Sequence, residues 1–279
     1  MIKDIVVHLD GSAEDEFRLS HAEAFATPDG AHITGLYTNV LPDIAAMATP
    51  DAAAAAAAAF TELEDAARAQ GETTSARLLE RMKRSGLPVE LARHDLRLGE
   101  VGRAAASAAR AADLFIATAP YRGGEGISWD GFAEEVLSDS GRGTLFVPPG
   151  LTARGPIQRI LVAWRDTHDA ARAVAEALPF IARATRVDLV MVDADPDGSG
   201  APAAAMARHL ARHGGKVEVK ALASEGKSVP QALLEEAARG AIDLIVMGGY
   251  GHSRLREWVL GGTTRDILGA SPVPVLMAH

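Results

Sequence analysis

"DIVVHLDGSAEDEFRLSHAEAFA" (residues 4–26) and "RILVAWRDTHDAARAVAEALPFI" (residues 159–181) follow one plan. Each opens with a β-branched apolar run, passes through a short polar turn, and continues with apolar residues at helical spacing. The two stretches lie 155 residues apart. A second pair, "AADLFIAT" at 111–118 and "AIDLIVMG" at 241–248, is offset by 130. The first half therefore carries about 25 additional residues between these landmarks, an insertion on the scale of a loop or a helix. It falls within 41–85, where "DAAAAAAAAFTELEDAARAQ" begins at Asp51 behind Pro50 and reads as a helix with an N-cap. A second helical stretch is expected after Gly71, with Leu78, Leu79 and Met82 on one face.

Apolar strands alternate with amphipathic helices throughout both halves. Strands are predicted at 2–9, 31–37, 88–93, 113–118 and 144–147, then at 159–164, 186–192, 216–222, 242–247 and 273–277. Helices are predicted at 12–26, 51–84, 99–111 and 130–140, then at 167–183, 201–213, 228–239 and 262–269. This alternation specifies an α/β fold in which each half is a Rossmann-like five-stranded parallel sheet with helices on both faces. The expected domains are 1–150 and 157–279, joined by the proline- and glycine-rich "VPPGLTARGPIQ" at 147–158.

The 279 residues exceed the usual size of one domain, and 48% apolar with 23% charged residues is ordinary for a globular protein. A net charge of −9 argues against wrapping nucleic acid, which requires a basic face. The absence of cysteine removes disulfides, thiolate metal sites and thiol catalysis. The opening "MIKDIVVHLDGS" is too short in apolar residues for a signal peptide core or a bilayer span, so a cytoplasmic protein without membrane contact is expected.

The stretch "VMGGYGHSRLREWVLGGTT" (246–264) places Gly248, Gly249 and Gly251 at the end of a buried strand and Gly261 and Gly262 at the start of a helix. In an open parallel sheet ligands sit beyond the carboxyl ends of the strands, and free amides at a helix start favour an anion. A plain structural turn explains the same glycines. The spacing Gly248-x-x-Gly251, nine residues, Gly261, followed by a helix and the strand "SPVPVLM", resembles the nucleotide loop of the universal stress protein family. "HLDGS" at 8–12 and "VLSDSGRGTLFVPPG" resemble other parts of that family, so the chain resembles a tandem member with two adenine nucleotide alpha hydrolase-like domains.

The resemblance implies ATP or AMP in the second domain, with magnesium as a potential companion, near Ala163, Trp164, Arg165, Val192, Met247, Gly248, Gly251, Gly261, Gly262 and Thr263. Asp10 matches the family's nucleotide-contacting aspartate in the first domain, where "TAPYRGGEGISWDG" departs from the glycine pattern. The second domain has the reverse departure: Arg165 replaces the aspartate and Gly262 replaces a hydroxyl residue that Thr263 could supply. The resemblance further implies an internal pseudo-dimer in which the last strands of the halves meet, with a homodimer of chains also open.

No catalytic constellation stands out. His209 and His213 have helical spacing but no third metal ligand, and His252 beside Ser253 lacks an orienting acid. Asp266 is the one nearby carboxylate for a magnesium-dependent hydrolase. A non-enzymatic stress-response or signalling module is expected; a slow nucleotide hydrolase and an interaction protein with decayed sites are the alternatives. The alanine-rich insertion is a candidate lid for the first cleft.

Overall fold

The computed structural model describes residues 1–43, 53–120, 131–193, 200–249 and 262–279. The first half runs β1 (Asp4–Leu9), α1 (Glu14–Ala26), β2 (His32–Val40), α2 (Ala53–Lys83), β3 (Val89–Leu96), α3 (Val101–Ala109), β4 (Leu114–Thr118), α4 (Phe132–Ser140) and β5 (Thr144–Val147). The second half repeats that order with β6 (Arg159–Ala163), α5 (His168–Ile181), β7 (Arg186–Val192), α6 (Ala201–Arg212), β8 (Val217–Leu222), α7 (Val229–Arg239), β9 (Leu244–Gly248), α8 (Gly262–Ala270) and β10 (Val275–Ala278). Among the described residues no helix is long and apolar enough to cross a membrane.

The apolar runs at 5–7 and 160–162 become the inner strands β1 and β6, buried on both faces as parallel strands under two helical layers must be. One layer packs Leu19 of α1, Leu78 and Met82 of α2, Val174 of α5 and Leu210 of α6 into a shared core. The opposite layer contributes Val101 of α3, Val136 of α4, Leu233 of α7 and Ile267 of α8. Matching polar anchors hold the two inner strands. Asp113 Oδ2 accepts the Lys3 and Asp4 amides at 2.7 and 3.2 Å, and Asp243 Oδ2 accepts the Gln158 and Arg159 amides at 3.0 and 2.9 Å.

The sheet is continuous through both halves, in the order β3-β2-β1-β4-β5-β10-β9-β6-β7-β8. The last strands meet antiparallel, with Leu276 opposite Leu145, so two parallel five-stranded sheets form one of ten strands. The junction is reinforced by Phe25 against Phe180, rings edge-on at 5.2 Å, and by an Asp29–Arg183 ion pair. The stretch expected to be a linker lies on α1: the Gly150 amide donates to Glu14 Oε2 and the Ala153 amide to Ser20 Oγ, both at 3.1 Å.

The helix predicted at 51–84 is α2, which runs unbroken for 31 residues through Gly71. An added Cβ at Gly71 would lie 2.5 Å from Asn39 Nδ2 and 2.7 Å from Arg93 Nη2, so the glycine permits close approach of the helix to β2 and β3. The extra length of the first half is thus built into the crossover helix, whose counterpart α6 has 12 residues. Its later turns pack over the β1–α1 turn, where Arg77 Nη2 donates to the Gly11 carbonyl at 3.3 Å.

Candidate functional site

Each half has a crevice where the chain order reverses, between β1 and β4 in the first and between β6 and β9 in the second. The helices that follow these strands leave to opposite faces: α1 and α5 join one core, α4 and α8 the other. That geometry opens a cleft beyond the strand ends.

The first cleft is filled by its own side chains. His8 and Thr38 are buried, and the His8 ring lies 5.0 Å from the buried ring of Phe132. His8 Nε2 meets Thr38 Oγ1 at 2.8 Å, and its Nδ1 faces Arg18 Nη1 at 3.4 Å. Arg18, only 2% exposed, donates from Nη2 to Asp10 Oδ1 and to Asp15 Oδ1, each at 2.6 Å. Burial, followed by the Arg18 charge, lowers the His8 pKa to about 3. Burial pushes Asp15 up to about 6, with the Asp10 charge adding and Arg18 opposing. Burial would raise Asp10 too, but Arg18 and the Ser12 hydroxyl outweigh it and hold the carboxyl below its usual range.

Asp10, aligned above with a nucleotide-contacting aspartate, is therefore committed to Arg18 and to Ser12, whose Oγ donates to it at 2.6 Å. The helix opens behind Ala13 without a side-chain cap.

By the repeat, the second cleft replaces each bulky group with a small one. Ala163 stands for His8, Gly262 for Phe132 and Gly248 for Thr118. Ala163 is half-buried and pairs with Val190 and Met247, and Val192 at the end of β7 is half-buried on the same side. Met247 is buried. Gly262 and Thr263 are exposed at the start of α8, and among the described residues no atom lies within 4 Å of a Cβ placed on Gly262. Gly251 and Gly261 lie outside the described residues.

One residue departs from the expected lining. Trp164 packs with Ala170, Ala173 and Val174 in the core under α5, whereas Ala163, Val192 and Met247 belong to the opposite face. Adjacent strand residues point to opposite sides, so Trp164 does not line the cleft with them. Arg165 is exposed, and its side chain has no hydrogen-bonding or ionic partner among the described residues. Gly248 has a second duty: an added Cβ would lie 2.7 Å from the Ala170 amide nitrogen and 2.8 Å from the Asp169 carbonyl carbon, so β9 and the start of α5 touch through it.

Several neighbours escaped the sequence reading. His279 Nδ1 meets the Gly249 carbonyl at 3.0 Å and stands 3.5 Å from Asp169 Oδ1, which also meets His168 Nδ1 at 3.1 Å. The plug of His8, Arg18, Thr38 and Phe132 was missed as well; a histidine inside the apolar run at 5–9 was its visible signal. Asp266 is exposed and lines a groove of about 380 Å³ between α7 and α8, with Ser228, Gln231 and Arg265.

Residues 156–279 match the family model described as the universal stress protein family. The universal stress protein Slr1230 of Synechocystis sp. is 39% identical over 67 residues, which cover 24% of this chain and 22% of that protein. The chain thus spans about a fifth of that relative's length. A solved universal stress protein from Archaeoglobus fulgidus DSM 4304 superposes with a TM-score of 0.73 at 18% identity, covering 99% of this chain and 97% of the other. The second half is thus similar to the universal stress protein family, and the first half repeats the same fold.

Proposed function

We propose that the protein is a stress-response or signalling module that binds one adenine nucleotide, ATP or AMP, in the cleft of its second half and does not turn it over. The observation that carries the reading is the internal contrast between clefts: His8, Thr118 and Phe132 in the first give way to Ala163, Gly248 and Gly262 in the second. Beside them, the amides at the start of α8 and the Thr263 hydroxyl offer donors to phosphate oxygens. Charge-assisted bonds of this kind contribute on the order of 1.5 to 3 kcal/mol each, enough for a small anion without a basic surface. Magnesium would arrive with the phosphates, since it keeps most of its water and is held largely by the phosphate oxygens.

Equilibrium dialysis with ATP and AMP is expected to give one site per chain. The paired change Ala163→His and Gly262→Phe rebuilds the first-half plug and is expected to abolish binding. Absence of binding by the wild type at millimolar nucleotide would retire the reading. Single-turnover assays with radiolabelled ATP test the second clause, with hydrolysis at the rate of buffer expected.

A further inference from the structure

The two outer strands of the sheet are finished differently. Arg93 of β3 is fastened to α2 through Glu72 and the Arg68 carbonyl. Among the described residues β8 pairs with β7 alone, and its middle is open on both faces of the sheet: Glu218 is exposed on one and Val219, 46% exposed, on the other. The Val187 amide donates to the Lys216 carbonyl and the Asp193 amide to the Leu222 carbonyl, so in this parallel ladder the even-numbered residues of β8 face β7. The amides and carbonyls of Val217, Val219 and Ala221 therefore point away from the sheet.

Charge on an edge strand ordinarily keeps copies apart. In β8 the order of charges is self-complementary. When two copies of Val217–Leu222 run antiparallel about Val219, Val219 faces its own counterpart, Val217 faces Ala221, and Glu218 faces Lys220 twice. Three outward residues per copy, each giving one amide and one carbonyl, then close six hydrogen bonds. The charged pairs fall on the face that carries Glu236, and the valines and alanine on the opposite one. Lys220 has a donor left for this contact, because an ammonium carries three and its Nζ gives one to Asp188 Oδ2 at 2.9 Å and one to Glu236 Oε1 at 2.6 Å. Glu218 can bridge that lysine and its own Arg186, whose Nη2 lies 3.0 Å from Oε2. β3 lacks the symmetry: turning it about Leu91 sets Glu90 against Ala92, and about Arg93 sets Ala92 against His94.

The geometry points to a homodimer of chains joined edge to edge through β8, antiparallel about Val219, with one sheet running through both copies. It is independent of whether either cleft holds a nucleotide.

Sedimentation velocity of the full chain from about 1 to about 300 μM is expected to show a monomer–dimer equilibrium, the modest affinity that so short a contact supports. Val219→Pro removes the outward amide at the centre and spares the bonds to β7, while Glu218→Lys sets like charges opposite one another. Each should weaken the dimer by about tenfold with unchanged far-ultraviolet circular dichroism. Because the chain has no cysteine, introduced thiols report the register under mild oxidation. Val219→Cys should form a disulfide-linked dimer, since opposed residues of a hydrogen-bonded pair have Cα atoms about 5.5 Å apart. Val217→Cys should not link to its own counterpart, about 14 Å away, but should link to Ala221→Cys in a mixture of the two variants. A monomer at every concentration with no link through Val219→Cys would overturn the β8 dimer. So would a dimer that Val219→Pro and Glu218→Lys leave unchanged, which puts the interface elsewhere, and so would equal linking by Val217→Cys and Val219→Cys, the mark of random collision.

Discussion

His8 and Asp15 flank the Arg18 guanidinium, and their protons respond to pH in opposite senses. The other polar groups around them are Asp10, Thr38, Tyr37 on β2, and Arg77 on α2 reaching Gly11. His8 has a folded pKa of about 3, below its ordinary 6.5, so its neutral form contributes stability above pH 6.5 that is lost as pH falls toward 3. Asp15 has a folded pKa of about 6, above its ordinary 3.8, so its proton contributes stability fully present below 3.8 and lost as pH rises through 6. Between those limits the two effects offset one another, and single substitutions separate them. His8→Gln is expected to lose about 2 kcal/mol less than the wild type on going from pH 7 to pH 5, at roughly 1.4 kcal/mol per pH unit. Asp15→Asn is expected to lose about 1 kcal/mol more over the same range. Buried His21 shifts in the same sense as His8 but is common to all three proteins and cancels. Urea unfolding at the two pH values reads the differences; parallel curves for all three proteins would contradict the assignment.

Among the elements, strand and helix positions follow closely from the contrast between period two and period 3.6 in the sequence. "ILV" lies in β6 and "LVMV" completes β7 because an inner parallel strand is largely apolar on both sides. Other features depend on contacts remote in sequence and were not legible. His8 and Phe132 pack together from positions 124 apart, and beyond the histidine within the apolar run nothing local to either predicts the plug. The side taken by Trp164 could have been read, since it follows Ala163 in an extended strand and must face the other way. The reason for a glycine at position 71 within α2 was hidden, because it serves close packing that only tertiary contact reveals. Gly248 shows the same at the cleft: a residue read for ligand approach also seats β9 against α5. Gly248→Ala should therefore cost about 2 kcal/mol, since the obstructing atoms are backbone and overpacking of this kind typically costs 1–3 kcal/mol. Thermal unfolding checks it, and a neutral result would mean that α5 shifts freely.

Taken as a whole, the molecule conceals one edge strand of each half by pairing β5 with β10, leaving β3 and β8 as the outer strands of the sheet. A free edge invites pairing with other chains, and here the repeat supplies its own partner within one chain. The centre of that junction is Leu145 opposite Leu276, neither accessible to solvent. If the halves are a single cooperative unit, either leucine stabilises both. Leu145→Ala and Leu276→Ala should each cost about 3 kcal/mol, within the 2–5 kcal/mol usual for buried leucine, and each should lower one shared unfolding transition. Because the two side chains are cross-strand neighbours, the double variant should depart from the sum of the singles by at least about 0.5 kcal/mol. Calorimetry of the wild type, both singles and the double completes the cycle. Strict additivity, or two separate transitions of which each variant moves only one, would show that the halves fold independently despite their common sheet.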